Sequence, residues 1–529
     1  MTRVLIVGFD GADWELIFNW ANKEKLPNFK RLIQQGVFGP LESTIPPITP
    51  PAWTSMTTGK NPEKHGILGF IKMTYTPNKW CKSIYTSLDK KSKELWDYVD
   101  KSIVVNVPIT YPPRKIDGIM VTGMLTPSLD SEFTYPPEFK NELLKKIPEY
   151  IIELDWAKYR SKKKKFITRL YDMTKKRIDL FWYLFNNKPW KLMFFVFIGP
   201  DRIQHIFWEA RELEKYWKYL DNFLGEIITK AEEENIHLFV VSDHGFCGVE
   251  RSIYINNILL DLGFLKLKLH DNSNVIFGHS LLYKIIKGAA RAYLKLPYKI
   301  RELLRPIISK VYTSPKFDLE NSVAFCISEG SFGSIYINPK FSREEVILKI
   351  KRVLESIIDK KTKRRPIYKV FRREELYGRA SEDIYCPDLI VIPSEGYEIG
   401  EYNPLGLLAD TLFKNGDHRL YGIFFAYGYG IKKGYKIENA KIYDIVPTIL
   451  HIFGLPIPND MDGRVLTEIF EPDSEFARRK PKYVDPSYYE KKQEIKENIK
   501  RKEDKKEKEY SKKDEEIIKE RLGALGYLK

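Results

Sequence analysis

Four short clusters of carboxylate and imidazole side chains along the chain have the chemistry of metal ligands. Asp201 and His205 lie four positions apart, so a short helix would place both side chains on one face. Carboxylate oxygens combined with imidazole nitrogens suit zinc or another first-row divalent ion, whereas calcium favours more carboxylates and no imidazole. Taken singly, an Asp after a strand is more often a turn or helix-cap residue, and a His in a loop is an ordinary polar residue. The four clusters, whose combination favours the metal interpretation, are Asp10, Asp201 with His205, Asp243 with His244, and His418.

A hydroxyl group that could act as a nucleophile stands at Thr49. Thr49 precedes Pro50, and a helix starting here would have Thr at its cap and Pro in its first turn. Gly59 predicts the end of this helix. A hydroxyl at a helix N-terminus lies in a positive field that favours an anion. The alternative is that Thr49 is only the helix cap, and it is the metal-ligand clusters that favour the catalytic interpretation.

The elements that must position these groups follow from apolar runs of strand length. Such runs predict buried parallel strands, and helical patterns lie between several of them, for example at 166–187 and 209–233. This alternation indicates an α/β fold, a three-layer sandwich with a largely parallel central sheet. Asp10 and Asp243 come at strand ends, and in such sheets the chemistry gathers at the carboxyl ends of strands. The runs lie at 4–7, 102–107, 191–198, 237–241, 389–392 and 422–426.

The chain is predicted to contain a catalytic core that is interrupted by one insertion and followed by a tail. Residues 1–262 form the first part of the core, and about 125–190 within it form a helical cover. Residues 263–312 are predicted to be a basic helical insertion, residues 313–470 the second part of the core, and residues 471–529 a charged, mostly helical tail. The apolar residues near the end of the tail predict that it docks elsewhere on the protein.

The net charge of +16 lies mostly in the insertion and the tail. Residues 263–310 contribute +8 and residues 478–529 contribute +6, so the rest of the chain is nearly neutral. The basic, amphipathic stretch 281–310 fits either a helical cap over the site or a membrane-surface helix. The tail is expected to be a solvated charged helix. The sequence therefore predicts no specific nucleic-acid binding and leaves peripheral membrane contact through the insertion as an alternative.

The chain is expected to have no signal peptide and no membrane-spanning helix. The first apolar run is short and ends at Asp10, and no segment approaches the roughly 18 apolar residues that a span needs. The four cysteines have no Cys-x-x-Cys spacing and are expected to be reduced thiols. We therefore expect a cytoplasmic protein, peripheral to the membrane if the insertion binds lipid.

Residues 49–67 resemble the nucleophile region of type I phosphodiesterases and nucleotide pyrophosphatases, a family of the alkaline phosphatase superfamily. In that family a Thr stands ten residues before the Gly of a Thr-Gly pair, and a Pro-Glu-x-His-Gly run follows. Thr49 and Gly59 keep this spacing, and the run here is Pro62-Glu63-Lys64-His65-Gly66. The metal-ligand clusters follow in the family's chain order, and a segment at 106–113 is similar to one common in prokaryotic members. The resemblance implies an alkaline phosphatase-like fold.

The same resemblance implies a phosphoric ester hydrolase with two metal ions, and Zn²⁺ is favoured over Mn²⁺. It implies attack by Thr49 on a phosphodiester or pyrophosphate substrate, with a covalent phospho-threonine intermediate. One ion would be held by Asp201, His205 and His418, and the other by Asp10, Asp243, His244 and the Thr49 oxygen.

One position departs from the family's pattern. Eukaryotic-type members have Asn three residues after the nucleophile, whereas this chain has Ala52. A phosphoryl oxygen would then need another donor, either a backbone amide or Asn106. No Arg is placed like the phosphate-binding Arg of alkaline phosphatases, which favours diesters or pyrophosphates over monoesters.

Other functions stay open at this stage. A phosphomonoesterase, a phosphoglycerate mutase-like enzyme or a phosphonate hydrolase could share the scaffold, although such mutases usually employ Ser with manganese. A sulfatase is excluded because no Cys/Ser-x-Pro-x-Arg site stands at Thr49. The non-enzyme alternative is a membrane-surface or nucleic-acid binding protein.

Overall fold

The computed structural model describes residues 2–76, 79–154, 159, 162–268, 317–378, 386–403, 406–411, 415–490 and 510–525. Most of the basic insertion predicted at 263–312 and the middle of the tail, 491–509, lie outside the described residues. The chain folds into two units. Unit 1 comprises Met1–Ile71, Ile84–Cys247 and His418–Leu525, and unit 2 comprises Lys72–Ser83, Gly248–Asp417 and Gly526–Lys529.

The strands are β1 (Val4–Phe9), β2 (Val37–Glu42), β3 (Ile71–Tyr75), β4 (Trp80–Ile84), β5 (Ser102–Val105), β6 (Gly118–Val121), β7 (Thr134–Tyr135), β8 (Leu192–Phe197), β9 (His237–Val241), β10 (Gly245–Tyr254), β11 (Ala324–Ser328), β12 (Gly333–Ile337), β13 (Ile367–Arg372), β14 (Leu389–Pro393), β15 (Gly396–Gly400), β16 (Leu408–Asp410), β17 (Gly416–Arg419), β18 (Tyr421–Tyr427), β19 (Tyr435–Lys436), β20 (Ala440–Lys441), β21 (Ile457–Pro458) and β22 (Tyr483–Val484).

The helices are α1 (Trp14–Asn22), α2 (Pro27–Gln35), α3 (Thr49–Thr58), α4 (Pro62–His65), α5 (Leu95–Tyr98), α6 (Phe139–Lys146), α7 (Lys163–Asn187), α8 (Gly199–Phe207), α9 (Arg211–Glu233), α10 (Ile255–Asp261), α11 (Arg343–Ser356), α12 (Arg373–Tyr377), α13 (Ile445–Ile452), α14 (Glu475–Arg478) and α15 (Lys512–Leu525).

Unit 1 is built on a ten-stranded sheet in the order β19-β2-β18-β9-β1-β8-β5-β6-β7, with β20 beside β2. Strands β9, β1, β8, β5 and β6 are mutually parallel, and the apolar runs of all of them except β6 predict this arrangement. Strand β18 runs antiparallel to both β9 and β2, although its apolar run resembles those of the parallel strands. The sheet is therefore mixed, with a parallel centre.

Helices cover both faces of this sheet because the strands are buried on both sides. On one face, the Trp53 ring of α3 packs against Phe194 of β8, with ring centroids 6.0 Å apart. On the other face, Phe9 of β1 packs against Trp217 of α9 at 5.8 Å. Gly8 is required on the first face, since a Cβ there would lie 2.4 Å from the Trp53 ring. The three-layer α/β sandwich predicted from the sequence is confirmed.

Unit 2 contains two four-stranded sheets and the two-stranded sheet of β3 and β4. Strands β11, β12, β14 and β13 form an antiparallel sheet, and α11 lies against β13. The apolar run at 389–392 is thus a strand, but it belongs to this sheet rather than to the large parallel one. Strands β15, β10 and β16 form the other four-stranded sheet, to which β17 adds beside β10.

In the part of the chain that the structure describes, no helix is both long and apolar enough to cross a membrane.

Candidate active site and metal centre

The carboxyl ends of neighbouring parallel strands bring the predicted ligands together in unit 1. Asp10 directly follows β1, and Asp243 follows β9, which is paired with β1 in parallel register. Strand β8, on the other side of β1, leads into α8, which carries Asp201 and His205. His418 arrives just before β18, the antiparallel neighbour of β9. Three strand ends and one strand start therefore meet at the same edge of the sheet.

The first candidate metal group consists of Asp201, His205 and His418, all buried. Asp201 Oδ1 lies 3.0 Å from His418 Nε2 and 3.2 Å from His205 Nε2. The two imidazole nitrogens are 3.2 Å apart. Burial alone would raise the pKa of Asp201, yet the charges of His205 and Arg202 hold that pKa well below its usual range.

The second candidate group consists of Asp10, Asp243 and His244, whose side chains are fully buried. His244 Nε2 lies 3.2 Å from Asp243 Oδ2 and 3.9 Å from Asp10 Oδ1. Burial raises the pKa of Asp10 and of Asp243 well above the usual range, and burial lowers the pKa of His244. A raised carboxyl pKa means that the protein alone does not stabilise the negative charge of Asp10 and Asp243. A bound cation would stabilise these two carboxylates, and the neutral imidazole of His244 is the form that binds a metal.

Each of the three carboxylates has one oxygen held by a protein donor and one oxygen turned to the imidazoles. Asp10 Oδ2 accepts from Trp53 Nε1 at 2.8 Å, and Asp243 Oδ1 accepts from the Gly11 amide at 3.1 Å. Asp201 Oδ2 accepts from the Arg202 guanidinium. Among the described residues, Asp10 Oδ1 and Asp243 Oδ2 are buried without any hydrogen-bond donor. This donor set fits two divalent ions, because the held oxygen fixes each carboxylate and the other oxygen remains for a metal.

The two groups adjoin each other, and Thr49 lies at the second one. The rings of His244 and His418 stack with centroids 3.8 Å apart, which joins the groups into one site. Thr49 Oγ1 is buried and lies 3.4 Å from His244 Nε2. The arrangement could therefore present a hydroxyl to a phosphorus atom that is also in reach of two cations.

The helix that presents Thr49 differs from the expected capped start. The cap position is Ile48, which offers no side-chain hydrogen bond, and Thr49 is the first helical residue. Pro50 and Pro51 follow and carry no N–H, and the Ala52 amide donates to Ile48 O at 3.1 Å. The helix N-terminus thus has few amide donors left for an anion. Gly59 ends the helix in a left-handed conformation, with φ of 70°, as predicted.

Asn106 lies at the carboxyl end of β5, next to β8 in the sheet, and therefore at the same edge as the ligands. Its side chain is buried, and Tyr150 donates to its Oδ1 at 2.8 Å. Asn106 Nδ2 is buried and has no acceptor among the described residues. The amide group is thus anchored through its oxygen, with its two N–H donors unused.

His65, from the Pro-Glu-x-His-Gly run, is a buried structural residue beneath α3. The Ile67 amide donates to His65 Nδ1 at 3.1 Å, so the ring proton is on Nε2, which lies 2.9 Å from Ser55 Oγ. Burial, followed by the charges of Lys90 and Lys60, holds the pKa of His65 well below its usual range.

Three residues that hold the ligands, two directly and one through another side chain, were not identified from the sequence. Trp53 holds Asp10, and Arg202 holds Asp201 while binding Glu153 through two contacts of 3.2 and 2.9 Å. Arg202 adjoins Asp201 in the chain, and that adjacency was the available signal. Glu153 and Trp53 carry no such signal, because each lies far in sequence from the residue it holds.

The fold and the buried carboxylate-imidazole site together define a metal-dependent phosphoric ester hydrolase of the alkaline phosphatase-like class. The family model for type I phosphodiesterase / nucleotide pyrophosphatase matches residues 4–419, and the chain belongs to this family. The predicted family, fold class and enzyme class are thereby confirmed.

Characterised relatives and solved structures agree with this assignment. The chain is 22% identical over 471 residues to human Bis(5'-adenosyl)-triphosphatase ENPP4, covering 87% of this chain and 80% of that protein. It is similar in structure to human ectonucleotide pyrophosphatase / phosphodiesterase 5, with a TM-score of 0.52, 15% identity and coverage of 88% and 98% of the two chains. Phosphonoacetate hydrolase from Sinorhizobium meliloti 1021 gives a TM-score of 0.53 at 14% identity, with coverage of 84% and 94%. At these identities the structural likeness shows the fold.

Proposed function

We propose that this protein cleaves a phosphodiester or pyrophosphate bond at a two-metal site, through a covalent phospho-threonine intermediate on Thr49. Asp201, His205 and His418 would hold one ion, and Asp10, Asp243, His244 and the Thr49 oxygen would hold the other. The mixture of imidazole and carboxylate donors in both groups favours Zn²⁺ over Mn²⁺.

The observation that carries this proposal is the position of Thr49 Oγ1, 3.4 Å from His244 Nε2 in a fully buried setting. A Thr that served only as a helix cap would use its oxygen to accept from the first helical amides. Here Ile48 occupies the cap position and the next two residues after Thr49 are prolines, so the capping role is absent. The oxygen instead faces the candidate metal ligands.

When bound, the two ions would supply positive charge for the phosphoryl oxygens and lower the pKa of the attacking hydroxyl. The Thr49 hydroxyl gives up its proton to water, and Oγ1 forms a bond to phosphorus as the bond from phosphorus to the leaving oxygen breaks. The electron pair of that bond leaves with the leaving group. Water then attacks the phosphorus of phospho-threonine as the bond from phosphorus to Oγ1 breaks. The phosphoryl product is released, and Oγ1 takes up a proton from water, which restores the Thr49 hydroxyl.

We assign the phosphoryl-oxygen donor to the Asn106 side chain rather than to the amides of α3. Pro50 and Pro51 have no N–H, whereas Asn106 Nδ2 is buried, with no acceptor among the described residues, and the Asn106 oxygen is anchored by Tyr150. A donor fixed in this way stabilises developing charge without reorganisation.

The substrate class we propose is pyrophosphates, in which two phosphoryl groups are joined, and phosphodiesters, in which one phosphoryl group is bonded to two alcohols. One relative is named as a Bis(5'-adenosyl)-triphosphatase, and an inactive form of murine ectonucleotide pyrophosphatase / phosphodiesterase 5 has been solved in complex with AMP. The phosphonoacetate hydrolase neighbour makes a carbon–phosphorus substrate the second candidate.

A substrate panel tests this proposal. Protein freed of metal by chelation and reconstituted with Zn²⁺ or Mn²⁺ is assayed on bis-p-nitrophenyl phosphate, p-nitrophenyl phosphate, a dinucleoside polyphosphate and phosphonoacetate. We expect the diester and the pyrophosphate to be cleaved fastest, with no turnover before reconstitution. Full activity of the metal-free protein would overturn the mechanism, and preference for the monoester or the phosphonate would replace the substrate class.

Asn106 is tested by Asn106→Gly, because its φ of 58° suits glycine and the backbone can keep its conformation. Loss of one such donor lowers kcat by about 10²- to 10³-fold. Tyr150→Phe is the companion variant, since it leaves the Asn106 amide in place but removes the hydroxyl that anchors it. Wild-type kcat in Asn106→Gly would refute the assignment.

A cytoplasmic location and peripheral membrane contact through the insertion remain proposals. Cell fractionation tests the first, and liposome flotation with and without residues 263–310 tests the second. Binding that is unaffected by the deletion would refute the role of the insertion.

A further inference from the structure

The C-terminal helix α15 is docked on unit 1 by specific contacts. Ile518 and Leu522, one turn apart on α15, are each only 1% exposed. Arg521 Nη1 donates to Thr126 O at 3.0 Å, and Tyr510, just before the helix, donates to Leu125 O at 2.7 Å. The docking is therefore made by both apolar burial and hydrogen bonds to one short segment, 125–126.

The surface that receives α15 also contains the residues that hold Arg202. The helix contributes Ile518, Arg521 and Leu522 and the rest of unit 1 contributes Met124, Leu125 and Glu153 to a cavity of only about 10 Å³. That volume leaves room for at most about one water molecule, so the surfaces are closely packed. Arg202 Nη2 lies 3.5 Å from Met124 Sδ, and its guanidinium is paired with Glu153.

Arg202 then connects this surface to the candidate metal site. Its side chain is 1% exposed, and it donates to Asp201 Oδ2 while Asp201 Oδ1 faces His205 and His418. A buried guanidinium needs a compensating carboxylate, and Glu153 supplies one that is itself 4% exposed. The orientation of the Asp201 carboxylate therefore depends on Arg202, and the position of Arg202 depends on Glu153 and Met124.

We propose that Arg202 and Glu153 are positioning residues for the Asp201 metal group, and that α15 is the element that holds them in place. This inference rests on the proposed role of Asp201 as a ligand. Arg202 keeps one carboxylate oxygen engaged, which leaves the other for the ion, and α15 closes the surface behind Glu153 so that water does not compete for the pair.

The helix is tested in the full chain with the double variant Ile518→Gln/Leu522→Gln, which makes its docking face polar. The matched control is Glu516→Gln/Glu520→Gln, which places the same residue at two exposed positions of the same helix. Metal-free proteins are titrated with Zn²⁺ by calorimetry. We expect the docking variant to bind one of two ions more weakly and the control to match wild type.

Arg202→Lys and Glu153→Gln test the pair directly. A lysine cannot contact both carboxylates with the fixed geometry of a guanidinium. Loss of a group that orients a metal ligand typically costs about 10- to 100-fold in metal affinity, and we expect that loss in one of the two binding steps. Raising the Zn²⁺ concentration should restore kcat, which it would not do for a variant that is merely unfolded.

The outcomes separate this inference from the proposed function. Wild-type protein that binds no Zn²⁺ and hydrolyses no ester would refute the proposed function and, with it, this inference. Wild-type protein that binds two ions, while the docking variant, Arg202→Lys and Glu153→Gln bind them equally well, would overturn this inference alone.

Discussion

Replacement of Thr49 by Ala separates a catalytic role from a structural one, because the two effects differ greatly in size. Thr49 is fully buried, so Thr49→Ala removes a hydroxyl and a methyl group from a packed site. Since Ile48 is the cap residue, no capping interaction is lost, and the cost in stability is about 1 kcal/mol. Loss of a nucleophile lowers kcat by about 10³- to 10⁶-fold, or about 4 to 8 kcal/mol in activation free energy.

The assay combines thermal unfolding with turnover of bis-p-nitrophenyl phosphate by zinc-reconstituted protein. We expect Thr49→Ala to be folded and nearly inactive, and Thr49→Ser, which keeps the hydroxyl, to retain part of the activity. Mass spectrometry of acid-quenched wild-type enzyme should find phosphate on Thr49. A folded Thr49→Ala variant with near-normal turnover would refute the reasoning.

Contacts of α3 lead to three further predictions. Trp53→Phe removes the donor to Asp10 Oδ2 but keeps an aromatic ring, so Zn²⁺ titration should show one ion bound about 10- to 100-fold more weakly. His65→Asn removes a ring that stays neutral in the folded protein. As the pH falls below about 6.5, His65 takes up a proton in the unfolded wild type but not in the folded protein. In urea unfolding, the free energy of unfolding of the wild type should therefore decrease by up to about 1.4 kcal/mol per unit of pH. The decrease should be less steep in His65→Asn. Gly59→Ala forces a side chain into a left-handed conformation, with its Cβ 3.0 Å from Met461 Sδ, and should lower stability by more than about 1 kcal/mol in the same assay.

The chain offers a matched control for two of these changes. Trp96 packs on the same Phe194 ring as Trp53, at 6.3 Å, and its Nε1 has no partner among the described residues, so Trp96→Phe should leave metal binding unchanged. Gly263 has a φ of 74°, and no described atom lies within 4 Å of the point that a Cβ would occupy, so Gly263→Ala reports the backbone cost alone. The Trp53 prediction would be contradicted by equal metal affinities in Trp53→Phe and wild type. The Gly59 prediction would be contradicted by equal losses of stability in Gly59→Ala and Gly263→Ala. The His65 prediction would be contradicted by parallel pH profiles of stability in His65→Asn and wild type.

The candidate ligands could be found from the sequence because apolar runs mark the carboxyl ends of parallel strands. Asp10 and Asp243 follow strands within two residues, and the spacing of Asp201 and His205 matches one helix face, which α8 provides. Residue type and position therefore identified the candidate ligands, whereas their division into two metal groups came from the family resemblance. Their roles as ligands stay a prediction until metal is measured.

Other parts of the fold could not be predicted, for physical reasons. An apolar run encodes burial but not direction, so the antiparallel course of β18 was not visible. Strand β2 contains Gly39-Pro40, which is unfavourable for a strand inside a sheet, yet it pairs with β18 on one side and with β19 and β20 on the other. Glu153 binds Arg202 across 49 positions, and no local pattern reports such a contact.

The place of β18 in the sheet has a consequence for how the protein folds. Strand β18 lies between β9 and β2. Strand β2, which is near the start of the chain, is therefore connected to the centre of the sheet only through β18, which comes late in the chain. Native pairing must therefore wait for a long-range encounter, which makes folding slow and leaves the edge of β9 open during synthesis. His418 lies in β17, just before β18, so the same late event that inserts β18 into the sheet also brings in this candidate ligand. Insertion of β18 and delivery of His418 are thus one step, and partly folded forms in which β18 is not yet paired should be inactive.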